Sequence, residues 1–164
     1  MKIGLIADTQ GTFDIPAFMA HVAREFAGVD EIWHAGDWGT EEVLDGLRGL
    51  GRLVVVNGNA PNDPRYPPAI EGKIGQWRLG MVHNLDKRLA RWAAGFDVVI
   101  HGHTHRWRDE RIGRTRFINP GTATRPQFGG TERTMAILNF AADLTVDKLI
   151  VPKFAKGPGN MISP

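Results

Sequence analysis

A chain of 164 residues with no cysteine, 42% hydrophobic and 23% charged, fits one globular domain and excludes a disulfide scaffold, a thiolate metal site and a disordered chain. Its 20 Lys and Arg exceed its 18 Asp and Glu by two and are scattered, so a pI near 9.2 supports nucleic-acid binding only weakly and suits an anionic small substrate equally. No run approaches the ~20 apolar residues of a membrane span, and Met1-Lys2-Ile3-Gly4 enters a strand without a signal-peptide pattern, so a cytoplasmic protein with no membrane partner is expected.

Apolar runs alternate with helical patterns: a strand over 2–7, a helix over 16–27, a strand over 31–34, a helix over 41–50 and a strand over 52–56. This βαβαβ order implies parallel strands. Asp14 ahead of Pro16 opens the first helix, and Thr40 ahead of Glu41 and Glu42 caps the second. A loop rich in Pro, Asn and Asp over 60–68 breaks the pattern and is followed by strands over 69–74 and 76–82, where the chain reads as more antiparallel. A short helix over 87–94 leads to a strand over 97–100. Strands over 108–112 and 115–118 flank Gly113-Arg114 as a hairpin, and strands over 134–140 and 145–151 complete the pattern. Mixed strands in this number predict an α/β fold of two packed sheets with helices outside. One domain over 1–154 and a mobile tail over 155–164, rich in Gly and Pro, are expected.

Gly102-His103-Thr104-His105 follows the run Asp97-Val98-Val99-Ile100, and histidines at i and i+2 of an extended backbone project to one side, as metal ligands do. Asp8 and Gln10 end the first strand, Asp37 the second, Asn59 the third and His83 a later one. Strand exits are where α/β sheets deliver catalytic side chains. Loops are polar by default, yet seven such residues at successive exits exceed that default. Imidazole, carboxylate and amide oxygen suit manganese, iron, zinc or nickel, and one polynuclear metal site is expected. Other residues have structural explanations. His21 is a surface or partly buried helix residue, and His34 and His101 pack or hydrogen-bond behind the ligand loops. Trp33, Trp77, Trp92 and Trp107 read as packing residues, whereas Trp38, next to Asp37, reads as a wall of the site's mouth. The series Arg106, Arg108, Arg111, Arg114 and Arg116 reads as the solvated face of a hairpin.

In order and spacing, Asp8-Thr9-Gln10, Gly36-Asp37, Gly58-Asn59, His83 and Gly102-His103-Thr104-His105, followed by Asn119-Pro120-Gly121-Thr122 and Arg125, resemble the motifs of the calcineurin-like metallophosphoesterases. Within that family the chain is similar to the small single-domain YfcE-type phosphodiesterases, from Met1 to about Val151. The resemblance implies a four-layer α/β/β/α sandwich and a dinuclear centre. Asp8, Gln10, Asp37 and His105 would hold the first ion, and Asp37, Asn59, His83 and His103 the second. The implied cofactors are two divalent ions, manganese first, with iron, zinc, nickel, cobalt and magnesium as alternatives. The implied reaction is hydrolysis of a phosphate ester, preferably a diester, by a hydroxide that the ions share, with Asp37, Asn59 and Arg125 in catalytic roles. A small phosphate ester is the implied partner, and a homodimer is compatible with the sequence.

Two departures from the family pattern carry expectations. Gln10 stands where the family usually has a histidine, and a neutral amide predicts a weaker first site. Ala60-Pro61 follows Asn59 where larger members carry a histidine that protonates the leaving group and the small group commonly has Cys-Asp. Without a general acid, alkyl esters should turn over slowly and phenolate leaving groups be tolerated. The competing reading is a scaffold or binding protein on the same fold, like the retromer subunit of this family. Retention of every ligand of the second site argues for the enzyme.

Overall fold

Alternation along β1 (Lys2–Ile6) sends Ile3 and Leu5 to one face and Ile6 to the other, and both faces are buried. The computed structural model describes residues 1–127 and 130–155; residues 156–164, which make up most of the expected tail, lie outside the described residues. After β1 come α1 (Ile15–Glu25), β2 (Glu31–His34), α2 (Glu41–Leu50) and β3 (Leu53–Val55), the expected βαβαβ unit with its strands parallel. β9 (Thr134–Phe140) pairs antiparallel with β1, and β10 (Leu144–Ile150) with β9, giving one sheet of order β10-β9-β1-β2-β3.

The second sheet has the order β4-β5-β6-β8-β7, built from β4 (Ala69–Ile74), β5 (Trp77–Val82), β6 (Val98–Ile100), β7 (Trp107–Ile112) and β8 (Thr115–Pro120). The expectation that this half is antiparallel holds only at its edges, β4 with β5 and β7 with β8. At its centre β5, β6 and β8 are parallel. The helical crossover after β5 brings the chain back to start β6 in the same direction, as parallel pairing requires.

The sheets face each other across Ile3, Leu5, Trp33 and Val56 on one side and Leu79, Met81, Val98, Ile100 and Ile118 on the other. Outside the first sheet, Phe18 and Val22 of α1 and Val43, Leu44 and Leu47 of α2 bury against Ile6, Ile32 and Val55. Each such side chain contributes about 1.5–3 kcal/mol of burial. The outer layer on the second sheet is thin. The helix expected over 87–94 is a 3₁₀ turn at Lys87–Leu89, opened by Asp86 accepting from the Arg88 amide, followed by the single turn α3 (Ala90–Ala93), with Ala94 as its C-cap. The architecture is thus the expected α/β/β/α order. Asp14 caps α1 by accepting from Ala17 N at 3.0 Å, but Thr40 makes no side-chain cap bond to α2. Among the described residues, no helix is long and apolar enough to cross a membrane.

Candidate metal centre

The loops that leave β1, β2, β3, β5 and β6 meet along one edge of the sandwich. Asp8 N donates to Gly36 O at 3.0 Å and Thr9 N to Asp37 O at 2.9 Å, tying the first two loops; Gly102 N donates to His83 O at 3.0 Å, tying the loops after β5 and β6. The sheets are then joined by His103 N, which donates to Asp8 Oδ2 at 3.0 Å, and by the Asp37 carboxylate, which lies 3.2 Å from His83 Nε2. Asp8, Asp37 and His83 offer ligand atoms that all lie within 4.8 Å of one another.

The second carboxylate is shaped from the third strand. Asp37 Oδ1 accepts from Asn59 N at 2.5 Å and Ala60 N at 2.9 Å, so the loop after β3 delivers backbone donors while the Asn59 side chain stays exposed. Gly58 has to be glycine, because a Cβ there would collide with the Asp37 amide and carboxylate. Gly102 is constrained in the same way: a Cβ would lie 2.8 Å from Ala35 O and 2.9 Å from Asp8 Oδ2.

Backbone carbonyls orient the histidines. His83 Nδ1 donates to Ala35 O at 2.8 Å and His105 Nδ1 to Arg125 O at 2.7 Å, which leaves each Nε2 facing the carboxylates. His105 Nε2 lies 3.3 Å from Asp8 Oδ1, and the buried His83 Nε2 makes no hydrogen bond among the described residues. Imidazoles anchored this way, with the inner nitrogen aimed at carboxylates, are the usual arrangement of metal-ligating histidines. His103 packs its ring edge-on to His83 with centroids 5.2 Å apart. Gln10 places its amide nitrogen 3.4 Å from Asp37 Oδ2 and 3.3 Å from His105 Nε2, while its Oε1 is buried without a partner among the described residues.

The charges reflect this crowding. Burial pushes the Asp8 pKa up, against the pull of His105 and His83. Burial also opposes ionisation of Asp37, but His83 and the Asn59 and Ala60 amides outweigh it and hold its pKa down. His83 and His105 are pulled down by burial and pushed further up by the carboxylates they face. Two carboxylates sharing imidazoles at these distances, with an orphaned Nε2 and amide oxygen, form a donor set that fits a divalent cation.

Hydrogen bonds that the sequence did not reveal brace the loops. The Gly36 amide donates to His34 Nδ1, so His34 Nε2 carries the proton and donates to Thr9 Oγ1, which in turn donates to Trp38 O. Thr122 Oγ1 donates to Asp8 O at 2.6 Å, and Thr124 Oγ1 to Gln10 O at 2.8 Å. Asn119 Nδ2 donates to Gly102 O at 2.8 Å and Thr104 Oγ1 at 3.1 Å. His101 accepts from Arg108 on Nε2 and donates from Nδ1 to Gly102 O. His34 and His101 therefore sit behind the ligand loops as expected.

Two expectations are corrected. Trp38 is no wall of the mouth: it is 1% exposed, packed on Tyr66 at 4.8 Å in the core beneath α2, because its side chain points away from the edge that Asp37 faces. The arginine series is not simply a solvated face, since Arg108 pairs with Glu110 over the Phe117 ring and Arg116 pairs with Asp109, both half-buried. Arg125 contributes its carbonyl to the cluster, and its side chain is exposed.

Two cavities flank the cluster. One, about 800 Å³, is bounded by His103, Arg106, Trp107 and Arg108; the other, about 500 Å³, by His83, Asn59, Asn84 and Trp92. His103, which borders the first, packs edge-on to His83, which borders the second.

Comparison with known proteins accords with this geometry. The calcineurin-like phosphoesterase superfamily domain matches residues 1–143. A probable metallophosphoesterase of Methanocaldococcus jannaschii is 34% identical over 141 residues, which cover 77% of this chain and 70% of that protein. Among solved structures, an archaeal phosphodiesterase superposes with a TM-score of 0.76 at 22% identity, over 92% of this chain and 100% of that one. Vps29 of Entamoeba histolytica, complexed with zinc, superposes with a TM-score of 0.73 at 22% identity, over 92% and 99%. At such identities these two likenesses speak for the fold. From the domain match and the archaeal relative together, the chain belongs to the calcineurin-like phosphoesterase superfamily.

Proposed function

We propose that this protein hydrolyses phosphodiesters at a centre of two divalent cations, the first held by Asp8, Gln10, Asp37 and His105 and the second by Asp37, Asn59, His83 and His103. The observation that carries the reading is the convergence of Asp8, Asp37 and His83, with the Nε2 atoms of His83 and His105 turned inward by carbonyl anchors. Cations in such a centre supply Lewis acidity toward the phosphoryl oxygens and lower the pKa of water from about 15.7 toward about 7. Manganese is the first choice for an oxygen- and imidazole-rich set, and the zinc complex of the Entamoeba protein supports divalent binding by this fold.

The protein's own part is to hold charge and geometry. Asp37, kept ionised by His83 and two backbone amides, is the carboxylate that would hold both cations. The anchors on His83 and His105 fix the tautomer that presents a lone pair inward. Arg125 is assigned to the substrate's phosphoryl oxygens, a role that suits a guanidinium fork; its backbone is fixed to the centre through His105. No side chain is assigned as general acid: Asp63, the nearby carboxylate, is tied to Arg65 at 2.6 Å, and Ala60-Pro61 offers no proton. Diesters with good leaving groups are therefore favoured.

The test is hydrolysis of bis(p-nitrophenyl) phosphate by metal-stripped protein resupplied with manganese, beside Asp37→Asn. Activity that needs both manganese and Asp37 is expected. Activity no higher than the variant's across manganese, nickel, cobalt, zinc and magnesium would leave a scaffold or binding protein as the better account.

A further inference from the structure

We propose that the cavity between the loop after β1 and the segment after β10 is an oxyanion site separate from the metal centre, in which Arg133 and Lys153 hold a small phosphate dianion. The site does not depend on the phosphodiesterase reading.

Arg133 carries the inference. Three arginines are half-buried among the described residues, Arg108, Arg116 and Arg133. Arg108 pairs with Glu110 and Arg116 with Asp109, whereas Arg133 has no carboxylate within ion-pair distance among the described residues. A guanidinium drawn out of water without a counter-ion is costly. Its Nε donates to Thr124 O at 2.8 Å, which orients the fork and leaves both terminal nitrogens without an acceptor among the described residues. That free end is the edge with which arginine grips two oxygens of one anion. The acids nearest in sequence are engaged elsewhere, for Glu132 pairs with Lys148 and Asp14 accepts from the Ala17 amide.

The cavity supplies the rest of the site. About 320 Å³ in volume, it is bounded by Thr12, Phe13, Thr124, Arg133, Lys153 and Phe154, and neither Asp nor Glu lines it. Lys153 is exposed, has no partner among the described residues and brings a second positive charge. The Thr12 hydroxyl and the Thr12 and Phe13 amides also make no hydrogen bond among the described residues, so a ligand here meets cations and donors. Asp14 N donates to Phe154 O at 3.1 Å, and the Phe154 ring packs edge-on to Phe18 at 5.8 Å, so the fold holds the two walls together. The volume lies at the low end of the range of small-ligand sites. Size and charge together select a phosphate group, either the free ion or the end of a small monoester.

The site lies behind the metal loop. Thr124, whose carbonyl holds Arg133, donates from Oγ1 to Gln10 O at 2.8 Å and so braces the turn that presents Gln10.

The experiment is titration of the full-length, magnesium-loaded protein with inorganic phosphate and, separately, with methyl phosphate, at constant ionic strength and followed by backbone amide NMR shifts. Saturable shifts at Thr12, Phe13, Thr124 and Lys153 are expected, and Asp37→Asn, which disrupts the metal centre, should retain them. Arg133→Gln should weaken binding about tenfold or more, and Lys153→Gln, an exposed change, to a smaller extent. Saturation by phosphate alone assigns the site to the free ion, and saturation by both anions extends it to monoesters. Shifts that do not saturate, shifts confined to residues around Asp37 and His83, or wild-type affinity in both charge variants would overturn the site. Should Arg133→Gln fail to fold, Lys153→Gln decides alone, and wild-type affinity in it would overturn the site.

Discussion

Asp8, Asp37, His103 and His105 all adopt positive φ, at 53°, 59°, 69° and 56°, a region that non-glycine residues rarely enter and that costs of order 1–3 kcal/mol each. Four such residues in one cluster place the strain where the side chains must converge, and the bracing by His34, Thr122 and Asn119 is what holds it there. Burial brings the His34 pKa to about 3, against 6.5 for a free histidine. The unfolded chain then binds a proton the folded chain refuses, so this group's contribution is full above about pH 6.5 and declines as pH falls toward about 3. His34→Gln is expected to make the stability against pH profile shallower in that window, by up to about 1.4 kcal/mol per pH unit. Denaturant titrations across pH would show an unchanged slope if the imidazole charges in place. Gln10 belongs to the same scale. Replacing it with histidine should raise manganese stoichiometry toward two per chain at concentrations where wild type fills only its second site; equal stoichiometry by metal analysis would show that the amide is as good a ligand.

At the scale of elements, the loop between β3 and β4 has two duties, because Asn59 and Ala60 shape the Asp37 carboxylate while the rest of the loop fastens to α2. Tyr66 donates to Glu41 Oε1 and accepts from Arg48, and Arg65 donates to Glu41 Oε2 at 3.0 Å. Tyr66→Phe should cost about 0.5–1.5 kcal/mol in stability and lower kcat more than it raises KM, since the loop orients ligands rather than contacting substrate. A change confined to stability would remove the loop's role in the centre. At β6, Gly102→Ala should weaken manganese binding and destabilise the fold by about 1–3 kcal/mol, because the new methyl meets Ala35 O and Asp8. Much of this level was legible in the sequence. The strands and the two long helices fall within one or two residues of expectation, since apolar runs and Asp14, Pro16 and Gly113 mark their ends. The thin α3, the idle Thr40 and the inward Trp38 were not, because they depend on what packs against them.

For the whole molecule, the residues that converge were visible as polar positions following apolar runs, and parallel strands carry such positions to one edge. Pairing order was not visible: nothing in β9 announces that it lies between β1 and β10, and nothing in β8 that it separates β6 from β7. Backbone anchors were equally silent, since the carbonyls of Ala35 and Arg125 leave no trace in residue type. A centre formed only when both sheets are docked also predicts linkage between metal and fold. Manganese at 100 times its dissociation constant should stabilise the wild type by about 2.7 kcal/mol, and Asp37→Asn should lose most of that gain in a thermal melt. An equal gain in the variant would place the ion elsewhere.

The central claim is that Asp37 lies between two cations, and anomalous diffraction at the manganese edge from soaked crystals tests it most directly. The account predicts one strong peak beside Asp37, Asn59, His83 and His103 and a weaker one beside Asp8, Gln10 and His105. An anomalous map with no peak at Asp37 would contradict it.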